Sequence, residues 1–218
     1  MNNRTIDFYF DYISPYAYLG WTQIHTLAGQ HGASVRPVPI LFAALLDHHG
    51  QLGPAEIPAK RLHVMKDVAR RAAFHGVPLA APPSHPFNPL PALRATLAAP
   101  AAGRKAVIHA LFRAIWAGDY ANELDSSDAV AAVLDAAGLP FDREGLGDPA
   151  IKQALRENTT RAIANDVFGV PTMIVDGELF WGSDSLPLLQ RHLAGADTTD
   201  RALFERLRDL PSSAQRQR

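Results

Sequence analysis

Residues Ile6 to Gly20, reading Ile-Asp-Phe-Tyr-Phe-Asp-Tyr-Ile-Ser-Pro-Tyr-Ala-Tyr-Leu-Gly, constrain the fold more than any other stretch. Ile6-Asp7-Phe8-Tyr9-Phe10 is aromatic and β-branched, the composition of a strand buried on both faces. At Ser14-Pro15 the pattern turns helical. Pro15 suits the first helical position, where its missing N–H would have had no partner anyway. Ser14 then stands where strand passes into helix, with its hydroxyl beside free backbone N–H groups. Such a serine caps the helix or helps to hold an anion, and these residues alone leave both roles open.

The rest of the chain extends this beginning. Ala17, Trp21, Ile24 and Ala28 continue a helical spacing to Gly32, and Ser34 to Leu41 reads as a second strand. Its two prolines cannot donate to a ladder, which places it at a sheet edge. Strand, helix and strand make a parallel, right-handed βαβ unit. From Phe42 to Asn165 the sequence is alanine-rich and helical in period. Leu45 to Pro58, broken by Gly50, Gly53, Pro54 and Pro58, predicts a loop or short turns. Ala59 to His75 predicts a helix with Leu62, Met65, Ala69 and Ala72 inward. Its Lys60, Arg61, Lys66, Arg70 and Arg71 read as a solvated basic face. Val77 to Pro91 holds six prolines and predicts irregular chain. Helices follow over Leu93–Ala99 and Arg104–Ala117, from Ser126-Ser127-Asp128, and from Asp148-Pro149 to Asn165. Thr172–Val175, Asp176-Gly177 and Glu178–Trp181 form a hairpin with a two-residue turn. A sheet-packing helix with Leu186, Leu189 and Leu193 on one face comes next, capped by Ser185 in preference to Ser183. Thr198 to Leu210 predicts a short terminal helix.

The resulting order is βαβ, a large all-helical insertion, then ββα. This is an α/β thioredoxin-like domain formed by residues 1–41 and 166–210, with a helical insertion over 42–165 and a flexible tail over 211–218. Composition narrows the function. The chain has no cysteine, which removes disulfides, thiolate metal sites and Cys-x-x-Cys redox chemistry. A net charge of −1 gives no support to a nucleic-acid partner. The nine histidines show no metal-ligand spacing, so no metal site is expected. Met1-Asn2-Asn3-Arg4 leads into the strand without the apolar run of a signal peptide, and no segment is long enough to span a bilayer. The expected location is cytoplasmic, without a membrane partner.

Two further stretches lie where the topology brings loops toward Ser14. In Phe168-Gly169-Val170-Pro171-Thr172, a cis Val170–Pro171 bond would turn the N–H and C=O of Val170 outward, to pair with a peptide-like ligand as an added strand. The plain alternative is a trans proline that starts a strand. In Trp181-Gly182-Ser183-Asp184, Asp184 can accept from an α-ammonium group and the N–H groups of Ser183 and Asp184 can hold a carboxylate. The plain alternative there is helix capping.

Together these elements resemble the 2-hydroxychromene-2-carboxylate isomerases, relatives of the kappa-class glutathione transferases within the disulfide-exchange branch of thioredoxin folds. The resemblance runs over residues 5 to 195 and rests on four stretches. These are Phe8 to Tyr16, Pro58-Ala59-Lys60-Arg61, Phe87-Asn88-Pro89-Leu90 and Phe168 to Thr172. It implies a homodimeric enzyme that uses reduced glutathione as cofactor and a small aromatic compound as substrate. The reaction implied is the interconversion of 2-hydroxychromene-2-carboxylate and trans-o-hydroxybenzylidenepyruvate in aromatic degradation. The alternative is a kappa-like transferase that conjugates glutathione to electrophiles; a thioredoxin-fold binding module without catalysis is the third reading. By the same resemblance Ser14 is catalytic, donating its hydroxyl to the glutathione sulfur. Ser14, Pro15, Tyr16, Gln51, Val170, Pro171, Trp181, Gly182, Ser183 and Asp184 would hold glutathione, and Tyr16, Lys60, Phe87 and Asn88 would meet the substrate. Gly50-Gln51 departs from the Gly-Asn of many relatives. Leu45-Leu46-Asp47 lacks a basic residue that some isomerases carry there.

Overall fold

The computed structural model describes residues 4–118, 124–197 and 200–211. Four strands form one sheet in the order β2-β1-β3-β4: β1 is Thr5–Phe10, β2 Ser34–Pro39, β3 Thr172–Val175 and β4 Glu178–Trp181. β1 runs parallel to β2 and antiparallel to β3, and β3 runs antiparallel to β4. Pro37 and Pro39 thus lie on an edge strand, where missing donors cost no ladder bond. The β3–β4 turn is Asp176-Gly177, both at positive φ as a type I′ turn requires. Helix α1 (Pro15–Gln30) connects β1 to β2. Between β2 and β3 lie α2 (Phe42–His49), α3 (Pro58–His75), α4 (Leu90–Ala98), α5 (Arg104–Trp116), α6 (Ser127–Ala136) and α7 (Pro149–Ala164). Helices α8 (Leu186–Leu193) and α9 (Arg201–Arg208) follow β4. The described architecture is a thioredoxin-like α/β core with an inserted all-helical part.

The period-2 alternation of the strands sorts two cores. Ile6, Phe8 and Phe10 of β1, with Met173 and Val175 of β3, face α1 and α8. That same cluster runs on without a break into Val68 of α3, Leu93 of α4, Phe112 of α5 and Leu134 of α6. Tyr9 and Val38 face the other way, onto Leu45 of α2 and Ala162 of α7. The helices between β2 and β3 therefore complete both faces of the sheet. Where the two parts meet, aromatic rings pack closely. Phe10, Tyr12 and Phe112 lie within 4.7–5.5 Å of one another by ring centroid, and Phe8 reaches Trp21 at 5.7 Å. A contact of this kind adds to simple burial.

Four local expectations need correction. Residues 45–49 are helical, because the Gly and Pro breakers begin only at Gly50, whose φ of 59° ends α2. Helix α3 turns Val64, Val68 and Ala72 inward and leaves Leu62 and Ala69 exposed. That rotation directs Asp67 and Arg71 at Tyr16 of α1, so they are not part of a merely solvated basic face. Helix α4 starts at Leu90, earlier than Leu93, with Pro91 in its first turn, where proline is tolerated. The terminal helix is Arg201–Arg208, capped by the Asp200 carboxylate on Ala202 N–H. Residues 212–218, most of the tail expected to be flexible, lie outside the described residues.

Trp116 ties the helices to the loop after β1, because its buried indole Nε1–H donates to the Tyr12 carbonyl at 2.8 Å. Trp116→Phe leaves that carbonyl unpaired, at a cost of about 1–3 kcal/mol, and the smaller ring leaves a void that adds to it. The expected outcome is a lower urea midpoint with an unchanged slope, read by far-UV circular dichroism.

Candidate functional site

Ser14 is the N-cap of the sixteen-residue α1, with extended backbone (φ −95°, ψ 113°). Its Oγ accepts from Ala17 N–H at 3.1 Å and donates to the Val170 carbonyl at 3.2 Å. The residue is almost wholly buried. Ser14 is thus a cap, and the same hydroxyl also reaches across to the segment before β3. The Val170–Pro171 bond is cis. Pro171 lies against Gly20 of α1, and its carbonyl accepts from Gly182 N–H at 2.8 Å. Among the described residues the Val170 N–H has no hydrogen-bond partner. Of the two outward groups expected at Val170, the N–H is therefore unused and the carbonyl is held by Ser14.

Two titratable side chains that the sequence did not single out clamp the residue before Ser14. The Asp11 carboxylate is buried and accepts from Ile13 N–H at 3.1 Å and from Phe42 N–H, the first amide of α2, at 2.9 Å. Burial pushes this carboxyl up to about 7 against the opposing pull of its backbone hydrogen bonds. On the other side His85 Nε2–H donates to the Ile13 carbonyl at 2.9 Å. Burial holds the His85 imidazole below its usual range, so it is neutral, and its buried Nδ1 has no partner among the described residues. The far end of α2 is tied as well: His49 Nε2–H donates to the Val167 carbonyl at 3.3 Å, just upstream of Val170.

The Trp181-Gly182-Ser183-Asp184 stretch ends β4 and enters a 3₁₀ turn, Ser183–Ser185, before α8. Ser185 precedes α8 but does not cap it with its side chain; its hydroxyl donates back to the Trp181 carbonyl. Two glycines are required by space. A Cβ on Gly169 would collide with the Trp181 indole, and one on Gly182 (φ +87°) with the Asp184 carboxylate. Trp181, half exposed, stacks with Phe168 at 5.1 Å between centroids.

Tyr16 joins this group to α3. Its hydroxyl donates to Asp67 Oδ2 at 2.8 Å, and Arg71 Nε donates to the same oxygen at 2.6 Å. The Arg71 guanidinium lies over the Tyr16 ring at 5.9 Å, and Nη2 stands 4.0 Å from Asp184 Oδ2. Burial and then the bond to Asp67 raise the Tyr16 phenol, which therefore remains a donor. Partial burial opposes ionisation of Asp67, but the bonds from Arg71 and Tyr16 outweigh it and hold the carboxyl below its usual range.

The structure thus brings together Ser14, Pro15, Tyr16, Val170, Pro171, Trp181, Gly182, Ser183 and Asp184. Phe87 is half-buried beside His85 (6.3 Å) and Trp116 (6.5 Å). It lines a shallow hollow with Pro82, Pro83, Ile115 and Leu124 that does not include Ser14. Asn88 is exposed, and its Oδ1 accepts from the N–H of Leu90, the first residue of α4. Gln51 and Lys60 are exposed, and no hydrogen bond joins either to the Ser14 group. Sequence reasoning passed over Asp11, Asp67, Arg71 and His85. Only the i,i+4 spacing of Asp67 and Arg71 offered a local signal, and such a pair is ordinarily a surface feature.

The family described as DSBA-like thioredoxin domain matches residues 5–194. The 2-hydroxychromene-2-carboxylate isomerase of Pseudomonas sp. (strain C18) is 31% identical over 198 residues, covering 88% of this chain and 91% of that protein. Glutathione S-transferase kappa 2 of Caenorhabditis elegans is 30% identical over 209 residues, covering 88% and 93%. A solved structure of a 2-hydroxychromene-2-carboxylate isomerase superposes with a TM-score of 0.78 at 28% identity, covering 95% of this chain and 100% of that one.

Asp11 yields a pH prediction. The unfolded carboxyl ionises near 3.8 and the folded one near 7, so the unfolded state binds fewer protons between those values. Its contribution to stability is full below pH 3.8 and is lost as pH rises through 7, a change on the order of 4 kcal/mol. Asp11→Asn, which has no such titration, should gain melting temperature relative to the parent as pH rises from 4 to 7. Its loss of one acceptor only shifts the whole curve. Parallel melting curves for the two proteins across that window would disprove the buried titration.

Proposed function

This chain belongs to the DSBA-like thioredoxin domain family, in the group that contains the 2-hydroxychromene-2-carboxylate isomerases, and from that premise we propose a glutathione-dependent cis–trans isomerase. Its substrate pair would be 2-hydroxychromene-2-carboxylate and trans-o-hydroxybenzylidenepyruvate, in the breakdown of aromatic compounds. The observation that carries this reading is the Ser14 hydroxyl at the N-terminus of α1, beside Val170, in a chain with no thiol of its own.

The residues present fit reduced glutathione. Val170 N–H is an unused donor next to Ser14, the glycines Gly169 and Gly182 let the Trp181 indole and the Asp184 carboxylate pack close beside it, and Asp184 offers an exposed carboxylate. When bound, glutathione supplies a nucleophilic sulfur that adds reversibly to the conjugated ring-opened substrate, allowing rotation about a former double bond before elimination.

The protein's part is to bind, orient and hold charge. Ser14 turns its O–H from the Val170 carbonyl to the sulfur while still accepting from Ala17 N–H. The partial positive charge at the start of α1 acts in the same direction, and together they lower a thiol pKa from about 8.5 toward neutrality. The Val170 carbonyl, released, accepts a ligand amide while its N–H donates to a ligand carbonyl, as in strand addition. The substrate ring would lie on the helical side against Tyr16, where the family resemblance has Phe87, Lys60 and Asn88 meet it and Gln51 reach glutathione.

Ser14→Ala should lower glutathione-dependent isomerisation by about 100-fold or more, the scale set by losing one donor to a developing anion. Glutathione affinity should change only severalfold, and the thiolate absorbance of the bound cofactor near neutral pH should disappear. Undiminished turnover by a folded Ser14→Ala protein would overturn the assignment. Measuring conjugate formation on the same preparation separates this reaction from that of a kappa-like transferase.

A further inference from the structure

The two peptide units that lead into Ser14 have all four of their polar groups bonded. In the first, Tyr12 C=O accepts from Trp116 Nε1–H at 2.8 Å and Ile13 N–H donates to Asp11 Oδ1 at 3.1 Å. In the second, Ile13 C=O accepts from His85 Nε2–H at 2.9 Å and Ser14 N–H donates to the Asp11 carbonyl at 3.1 Å. Asp11 thus supplies two of the partners and Trp116 of α5 a third. The fourth is His85, which belongs to no regular element and lies between α3 and α4. Its segment is nevertheless tied down. Pro78 C=O accepts from the Tyr18 hydroxyl of α1 at 2.7 Å, and Ala80 N–H donates to the Trp116 carbonyl at 2.7 Å. The imidazole itself packs at a steep angle against Trp116 and Phe87, at 5.6 and 6.3 Å between ring centroids.

A carbonyl only accepts, so Nε2 carries the proton and Nδ1 of the neutral ring presents a bare lone pair. That atom is buried and has no partner among the described residues, an arrangement that weakens a fold. Stability alone does not explain a histidine here. What the ring supplies is a rigid N–H aimed at one carbonyl. The peptide unit is planar, so fixing its carbonyl also fixes its N–H and the φ of −95° at Ser14. That angle sets where Oγ stands between Ala17 N–H and the Val170 carbonyl. Without His85 the unit is held by the Ser14 N–H alone and is free to tilt. We propose that His85 is a positioning residue for Ser14, its Nε2–H locking the Ile13–Ser14 peptide unit so that the Ser14 hydroxyl meets the ligand sulfur at a fixed angle. The inference rests on the glutathione reading and assigns His85 a part in it that acts through Ile13.

The test separates the donor from the ring. His85→Phe keeps a ring against Trp116 and Phe87 and has no N–H. His85→Gln loses the ring but carries an amide N–H at about the reach of Nε2, and His85→Asn is one methylene too short. Each protein is saturated with reduced glutathione, and the thiolate absorbance at neutral pH, the glutathione dissociation constant and kcat for isomerisation are measured. His85→Phe exchanges one unpaired acceptor, Nδ1, for another, the Ile13 carbonyl, so its melting temperature should stay near the parent's. Its thiolate absorbance should fall severalfold and its kcat about tenfold, with glutathione affinity within about twofold of the parent's. His85→Gln should recover most of both signals, and His85→Asn should not. Parent-like thiolate absorbance and kcat in His85→Phe, or equal losses in His85→Phe and His85→Gln, overturn the inference and leave the glutathione reading intact. A parent that binds no glutathione overturns both. Should His85→Phe not fold, the difference between His85→Gln and His85→Asn decides alone, and equal signals from those two overturn the inference.

Discussion

A carboxylate kept away from water must find donors, and the position of the whole site follows from how Asp11 finds them. Its two oxygens take the amides of Ile13 and Phe42. One belongs to the turn that presents Ser14, the other to the first helix after β2. A single buried group therefore fixes the start of α1 relative to α2, and no backbone bond links those two segments as directly. Burial without the amides would leave an uncompensated charge, and the amides without Asp11 would leave two buried donors unpaired. The interaction is costly to lose from either side.

The other polar atoms of this loop are held in the same manner, each by a different part of the fold. Trp116 of α5 takes the Tyr12 carbonyl, His85 of the proline-rich segment takes the Ile13 carbonyl, and the Tyr12 hydroxyl bonds Thr96 of α4 at 2.6 Å. Ser14 N–H donates to the Asp11 carbonyl and Ser14 C=O accepts from Tyr18 N–H. With Phe42 of α2 on Asp11 and Val170 on Ser14, five separate segments thus converge on four consecutive residues. The helical part surrounds the end of β1, and the unbroken apolar core that joins it to the sheet holds it firmly there. The proposed orientation of a ligand's sulfur would need such support, because a small displacement of one donor weakens the orientation it provides.

How much of this was legible in the sequence depended on range. The β1–α1 junction, the Asp176-Gly177 hairpin and the Asp148-Pro149 helix start are written in adjacent residues, and each folds as read. The start of α2 was missed because the group that satisfies its first amide lies 31 residues upstream. His85 escaped notice because its partner is 72 residues away. Asp67 and Arg71 looked like an ordinary surface pair until Tyr16, 51 residues before Asp67, was found to close the network. At Ser14 the residues allowed a cap or an anion site; the cap is there, and the bond to Val170, 156 residues later, shows that the capping hydroxyl also reaches the segment before β3.

That double contact also explains how a cap can serve a ligand without destabilising the helix it caps. The Ser14 oxygen accepts from Ala17, and its hydrogen is donated separately to Val170. A hydroxyl has one hydrogen and two lone pairs, so redirecting the hydrogen leaves the cap intact. The carbonyl that loses it is not left empty if the ligand brings an amide to the same place, and the neighbouring N–H, now idle, gains a partner. Donor and acceptor counts balance before and after, so the exchange costs little net hydrogen-bond energy. A cysteine at this position would offer only a weak S–H donor and would add redox chemistry of its own. On the proposed reading, serine keeps the geometry and leaves the sulfur to the ligand.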